Sequence, residues 1–286
     1  MTLQNRRVVF AATFALSVCL SRAASAQFVT TSVGGDSTPA SIQGAVDSFR
    51  AAIGTPNNGN APGPLVGGRR EINWDGGVAT TAAVSGPTLN AFLNIRGARF
   101  TTPGTNFLQT PVTAPELTDI NPTYSSEFSI FSPSRIFVSV GSNITDVTFA
   151  IPGTNGASPA TVGAFGAIFT GVDLADSTSV TFFDIDNNAI FNSSVPVGTV
   201  PQGSLSFFGA TATNGERIAR VRITAGTTAL GPNDDPANGV DIVAMDDFIH
   251  SEPAGVAVVP EPGSLVLALP VVGYIGIVVR RRNARK

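Results

Sequence analysis

From Glu127 onward the chain is a run of short segments rich in Val, Ile and Phe, cut apart by Gly, Asn, Asp or Pro. The candidate strands are 128–132, 136–140, 146–151, 163–169, 179–184, 189–192, 205–210, 218–224 and 240–249. β-Branched and aromatic side chains suit a pleated, half-buried surface, and the intervening residues supply turns. Val147, Phe149 and Ile151 recur at period two, as do Ala219, Val221 and Ile223, with Arg220 and Arg222 facing the other way. That alternation predicts a β-sandwich over 125–252 with one wet face on each sheet.

The region 27–124 contains one helical stripe. Ser37 or Thr38 can cap it and Pro39 suits a first turn. Ile42, Ala45, Val46, Phe49, Ala52 and Ile53 then fall on one face, and Gly54 ends the pattern. This predicts a helix over 39–53, packing on the edge or end of the sandwich. The stretch 55–68, rich in Gly, Pro and Asn, reads as a loop. With 30 glycines, 20 prolines and a single lysine, the chain is suited to turn-rich β structure rather than long charged helices.

Charge is unevenly placed. Eight of the 17 basic residues lie at the two ends, leaving nine against 20 acidic residues between Asp36 and Glu261, a net of −11. A body this acidic repels phosphate backbones, so nucleic acid is not an expected partner. The one cysteine, Cys19, lies in the leader, so a processed chain has no disulfide, thiolate metal site or cysteine nucleophile.

Both ends read as processing segments. Arg6-Arg7, an apolar run over 8–20 and the A-x-A site Ala24-Ser25-Ala26 are the three parts of a signal peptide over 1–26. At the other end, a linker over 253–263 contains Pro260-Glu261-Pro262. An apolar helix over 264–279 and a basic tail over 280–286 with Arg280, Arg281 and Arg282 follow. An arginine cluster stays on the cytoplasmic side, which leaves the globular body outside the cytoplasm. The apolar run 265–279 spans about 22 Å as a helix, against a hydrocarbon core of about 30 Å. Pro270 weakens it further. So marginal a transmembrane span suits a temporary anchor.

The Pro-Glu-Pro motif, short helix and arginine cluster together resemble the PEP-CTERM sorting signal. That resemblance implies handling by an exosortase, with Pro260, Glu261 and Pro262 as the recognised residues. It also implies bacteria that make an exopolysaccharide matrix. The expected location is the inner membrane with the body in the periplasm, then the cell surface or extracellular matrix after processing.

Pieces of the body also resemble a recurrent β-sandwich of secreted proteins carrying that tail. They include Ile168-Phe169-Thr170-Gly171-Val172-Asp173, Thr181-Phe182-Phe183-Asp184, Ser206-Phe207-Phe208-Gly209 and Arg217-Ile218-Ala219-Arg220-Val221. A last strand with Asp246-Asp247-Phe248 is similar to closing strands of jelly-roll lectin-like modules. The resemblance implies a mainly β, jelly-roll-like β-sandwich, and it implies fold more than activity.

The chemistry-bearing residues are mostly acidic. Asp184-Ile185-Asp186-Asn187-Asn188 opens like a calcium loop, but Ala189 replaces its glycine and Val195 its closing glutamate, so a hairpin turn is the expectation. Asp173, Asp241, Asp246 and Asp247 are the candidate ligands of a structural calcium ion, on ligand type. Asp246 and Asp247 are adjacent, so on a strand they point to opposite faces, and a buried one needs a partner. Calcium, Arg217 or backbone amides qualify.

Trp74 is the candidate ligand residue. Beside Arg70, Asn73 and Asp75 it suits stacking on a sugar ring, and it suits equally a core position beneath a loop, the commoner fate of a lone tryptophan. Catalysis has little to stand on. His250, the one histidine, reads as exposed beside the linker, and neither a Gly-x-Ser-x-Gly elbow nor a His-Glu-x-x-His pair occurs. The expectation is a non-catalytic, exported envelope or matrix protein that binds glycan. A secreted carbohydrate-active hydrolase using a pair among Glu71, Glu116, Glu127 and Glu216 is a second class, and a structural surface protein without ligand is a third.

Overall fold

The computed structural model describes residues 27–76 and 82–256. The signal cleavage residues Ala24 and Ala26 lie outside them, as do Pro260, Glu261, Pro262 and the arginines Arg280, Arg281 and Arg282. Among the described residues no helix is long and apolar enough to cross a membrane.

The protein is mainly β, with two antiparallel sheets and three helices. In chain order the strands are β1 (Phe28–Gly34), β2 (Arg69–Ile72), β3 (Ala82–Ser85), β4 (Thr88–Leu89), β5 (Ala98–Thr101), β6 (Asn106–Thr110), β7 (Ile136–Val140) and β8 (Ile144–Ala150). They continue as β9 (Pro159–Thr161), β10 (Ala164–Thr170), β11 (Ser179–Phe183), β12 (Ala189–Ser194), β13 (Leu205–Ala212), β14 (Arg220–Thr224), β15 (Ala244–Ser251) and β16 (Ala254–Gly255). The helices are α1 (Ala40–Ile53), α2 (Pro115–Thr118) and α3 (Tyr124–Glu127). One sheet runs β1-β13-β10-β15-β7-β6-β3, with β2 also on β15. The other runs β12-β11-β14-β8-β5-β4, with β9 on β8 and β16 on β9.

The second sheet follows the alternation in the sequence. Along β8, β11 and β14 buried residues alternate with partly exposed ones. Val147, Val180, Phe182, Val221 and Ile223 point into the shared core. On the wet face Asp146 receives Arg220 at 2.8 Å and Arg222 at 2.7 Å.

The first sheet departs from the expectation of one wet face. β10 is buried at every residue, and β13 and β15 along most of their length. Its inner face packs on the second sheet through Phe165, Phe169, Phe208 and Phe248. Its outer face is covered by α1, through Ile42, Val46 and Phe49 on Ala164, Ile168, Leu205, Phe207 and Ile249. Strands buried on both sides lose period two, and Ala164-Phe165-Gly166-Ala167-Ile168-Phe169 shows none. Thus α1 lies across a sheet face, not at the edge or end. Burial of Ile42, Val46 and Phe49 contributes roughly 1.5–3 kcal/mol each. The cross-strand pair Gly166 and Gly209 makes room for Phe49. A Cβ on Gly209 would stand 2.7 Å from that ring, and one on Gly166 2.8 Å.

Two further expectations are corrected. The sandwich is not confined to 125–252, because six strands from 27–124 pair into its sheets. And 128–132 is not a strand. Its backbone donors go to side chains, Ser129 N–H to the Thr170 hydroxyl and Phe131 N–H to the Asp246 carboxylate, so no ladder forms.

Candidate functional site

The four candidate calcium ligands do not converge. Asp246 and Asp247 sit in mid-sheet, under the outer layer. β10 and β15 pair Ala167 with Phe248 and Phe169 with Met245, so that Ile168 alone faces Asp246 and Asp247. This is a β-bulge, with two residues opposing one. It cancels the expected alternation: Met245 and Phe248 both enter the inter-sheet core, and both carboxylates turn out toward Ser132. The Ser132 hydroxyl lies 2.6 Å from Asp247 Oδ1, 3.4 Å from Asp246 Oδ1 and 3.1 Å from Asp75 Oδ2. One hydroxyl proton cannot serve three carboxylates. Burial, and then the Asp247 charge, hold Asp246 well above the usual carboxylate range. Burial pushes Asp247 up to about 6, against the pull of Ser132 and Arg50.

Asp173 and Asp241 lie at one end of the sandwich, among loops. Asp241 is buried and accepts hydrogen bonds from the backbone N–H groups of Asp173 at 3.1 Å and Leu174 at 3.3 Å, and from the Ser177 hydroxyl. It therefore shapes the loop after β10. Two residues that were not among the expected calcium ligands complete the cluster, Glu127 having been named only as a candidate hydrolase carboxylate. Glu127, the last residue of α3, and Asp234, in the loop between β14 and β15, each bring a carboxylate oxygen toward Asp173, the three lying within 4.8 Å of one another.

Backbone contacts assemble this end. The Tyr124 hydroxyl donates to the Pro232 carbonyl at 2.8 Å and accepts from Gly231 N–H at 2.7 Å, which ties the 231–234 loop to α3. Gly203 N–H donates to the Glu127 carbonyl, and Gly198 N–H to that of Val172. Asp234 Oδ1 accepts from Ile242 N–H at 2.8 Å. Beside the cluster a cleft of about 350 Å³ is lined by Asp173, Val197, Val200, Pro201 and Pro236. Burial, then repulsion from Asp234, Asp173 and Asp241, pushes Glu127 up to about 8. Burial, then Asp234 and Asp241, pushes Asp173 up to about 7. Asp234 and Asp241 are raised in the same sense, chiefly by burial.

No motif marked Glu127, which stands apart from the other acids in sequence. Asp234 had a visible context, the oxygen-rich turn Asn233-Asp234-Asp235. The Asp184 segment is a hairpin turn: Asp184 Oδ1 accepts from the N–H groups of Asp186 at 3.0 Å and Asn188 at 2.8 Å, and Asn187 has φ 64°.

Trp74 is buried, 1% exposed. Its ring stacks on Phe137 at 3.9 Å, and Phe92, Phe100 and Phe248 meet it edge-on. Nε1–H donates to the Asp246 carbonyl at 2.8 Å. No side of the indole faces solvent, so it offers no platform to a sugar ring. The reading of His250 as exposed is also overturned. It lies in β15 against Phe149, 1% exposed, with Nε2 unpartnered.

Burial, aided by the positive Arg70 nearby, holds His250 down at about 4. An unfolded histidine titrates near 6.5. Between those values the unfolded chain takes up a proton that the folded chain refuses, so stability falls as pH drops from 6.5 toward 4. Full development of that shift corresponds to about 3 kcal/mol. The wild type minus His250→Leu stability difference, from urea unfolding, is expected to shrink by that amount between pH 7 and pH 4. A pH-independent difference would show that His250 is not held neutral.

Fold and site together define a two-sheet antiparallel β protein with a partly buried acidic cluster beside a loop-end cleft. No protein-family model matches the chain, and neither a curated protein nor a solved structure does.

Proposed function

We propose that this chain is an exported cell-envelope or extracellular-matrix protein, sorted by an exosortase, whose jelly-roll-like body is non-catalytic. The observation that carries this reading is the order of signals along the chain. Arg6-Arg7, the apolar run 8–20 and the Ala24–Ala26 site stand at one end; Pro260-Glu261-Pro262, the apolar run 265–279 and Arg280-Arg281-Arg282 stand at the other. A short apolar helix backed by cations stalls in the bilayer with its basic end inside, which holds the Pro-Glu-Pro segment at the outer membrane surface.

The body is consistent with that role. Its connections repeatedly change sheet, from β5 to β6, β7 to β8, β10 to β11, β12 to β13, β13 to β14 and β14 to β15, which supports a jelly-roll-like topology. β16, Ala254–Gly255, pairs with β9, so the sheet takes in the first residues of the linker expected over 253–263, a few residues ahead of the motif. His250 is sequestered, which removes the chain's one imidazole from acid–base chemistry at any cleft. Exopolysaccharide is the partner this location implies, and the buried Trp74 is not open to it.

Mass determination of the protein isolated from cells with and without the exosortase tests the reading. The expected mature chain starts at Gln27 and ends near Pro260–Pro262, and C-terminal processing is lost without the enzyme. A chain that keeps Lys286 and a cytosolic body in both strains would overturn it.

A further inference from the structure

We infer that Glu127, Asp173 and Asp234 form a binding site for one divalent cation of the calcium type, which clamps α3 to two loops at one end of the sandwich. Oxygen ligands of a common calcium ion stand about 2.4 Å from it, so any two are at most about 4.8 Å apart. One carboxylate oxygen from each of the three residues meets that limit.

The proximity is not the whole case, because acidic groups crowd together on many surfaces without a ligand. Here the crowding is partly inside the protein, with Glu127 buried and Asp173 and Asp234 half-buried. Glu127 is 5% exposed, and its Oε1 has no hydrogen-bond partner. Asp173 Oδ2, also shielded from solvent, has none either. Buried polar atoms are nearly always paired, so two acid oxygens without a donor in one cluster call for either a proton shared between them or a cation. The described residues supply no cation there. No arginine or lysine among the described residues forms an ion pair with Glu127, Asp173, Asp234 or Asp241. The contrast with the other buried acids is instructive. Glu252 is met by Arg70, and Asp247 has Ser132 and, at 4.0 Å, Arg50.

The donor chemistry selects the ion. The three side chains offer oxygen only, with neither imidazole nor thiolate in the set. Hard cations take such ligands, whereas zinc and copper favour nitrogen and sulfur. The ligands come from α3, the β10–β11 loop and the β14–β15 loop, an irregular set that suits the tolerant coordination of calcium better than the strict octahedron of magnesium. Asp173 also lines the adjacent cleft, which gives an ion and its remaining water ligands a way in. Asp241 acts as a positioning residue: its oxygens hold the backbone of Asp173 and Leu174 and leave the Asp173 carboxylate free.

The rival account is a carboxylic acid pair, Glu127 with Asp173, sharing a proton and binding nothing. The two differ when calcium is added. The full chain, purified in detergent and stripped with chelator, is titrated with calcium chloride and separately with magnesium chloride, by calorimetry and thermal unfolding. The expected result is saturable binding of one calcium ion per chain, a Tm that rises with calcium, and at least tenfold weaker binding of magnesium. Glu127→Gln and Asp173→Asn are expected to keep the unliganded Tm or raise it, since each removes a repelling charge, and to weaken calcium binding at least tenfold. Absence of both heat and a Tm shift at millimolar calcium in the wild type would overturn the inference in favour of the proton-sharing pair. So would an undiminished calcium response in both variants.

Discussion

Arg70→Met is expected to destabilise the full chain by about 3–5 kcal/mol, the usual result of removing one partner from a buried ion pair. Arg70 is fully buried in β2, and its Nε and Nη2 donate to the two oxygens of Glu252 at 2.7 and 2.8 Å. Nη1 also donates to the carbonyls of Gly59 at 2.9 Å and Ile95 at 3.1 Å. One guanidinium thus joins β2, two loops and the end of β15. Burial by itself would raise Glu252, but Arg70 and Asn58 hold it below the usual carboxylate value. Methionine fills similar volume and leaves that carboxylate without its cation.

The double variant Arg70→Met with Glu252→Gln separates this loss from lost packing. If the cost lies in the abandoned charge, the double variant loses clearly less than the two single losses added together. Urea unfolding of the four proteins at pH 7 checks this. A loss below about 1 kcal/mol for Arg70→Met would place the pair with exposed salt bridges and refute its structural weight.

Trp74→Ala is the second large effect, expected at about 3–5 kcal/mol because the site is ringed by rigid aromatic side chains that collapse poorly into a void. Phe92, Phe100, Phe137 and Phe248 all touch the indole, and the Asp246 carbonyl accepts its N–H. Trp74→Phe keeps part of the stack but leaves the Asp246 carbonyl without its donor, at about 1–3 kcal/mol. Denaturant unfolding measures both. The sole tryptophan also reports on itself: its emission should be blue-shifted in the native chain and unaltered by added polysaccharide. A red, sugar-sensitive emission would restore Trp74 as a ligand platform and count against the buried geometry.

Trp74 shows where local reading stops. Its neighbours Arg70, Asn73 and Asp75 looked like a polar recognition patch. Tertiary structure leaves only Asn73 exposed and turns the others inward: Arg70 to Glu252, Asp75 to the backbone of Ser134 and Arg135, and Trp74 to the aromatic core. Residues far apart in the chain supply every one of those partners, so no window of sequence contains the answer. His250 misled in the same way, since proximity to a linker in sequence says nothing about the sheet that covers β15.

The amino-acid order by itself determined the class of fold, eight of the strands after Glu127 but neither β9 nor β16, and helix α1, since each rests on a periodicity carried by neighbouring residues. Only the tertiary structure decided that the first sheet is covered on both faces, that the strands of 27–124 join both sheets, and that a bulge puts Asp246 and Asp247 on one side. It alone brought Glu127 and Asp234 to Asp173. Those outcomes depend on register and on loop closure between distant segments, where one inserted residue in a strand reverses every side chain beyond it.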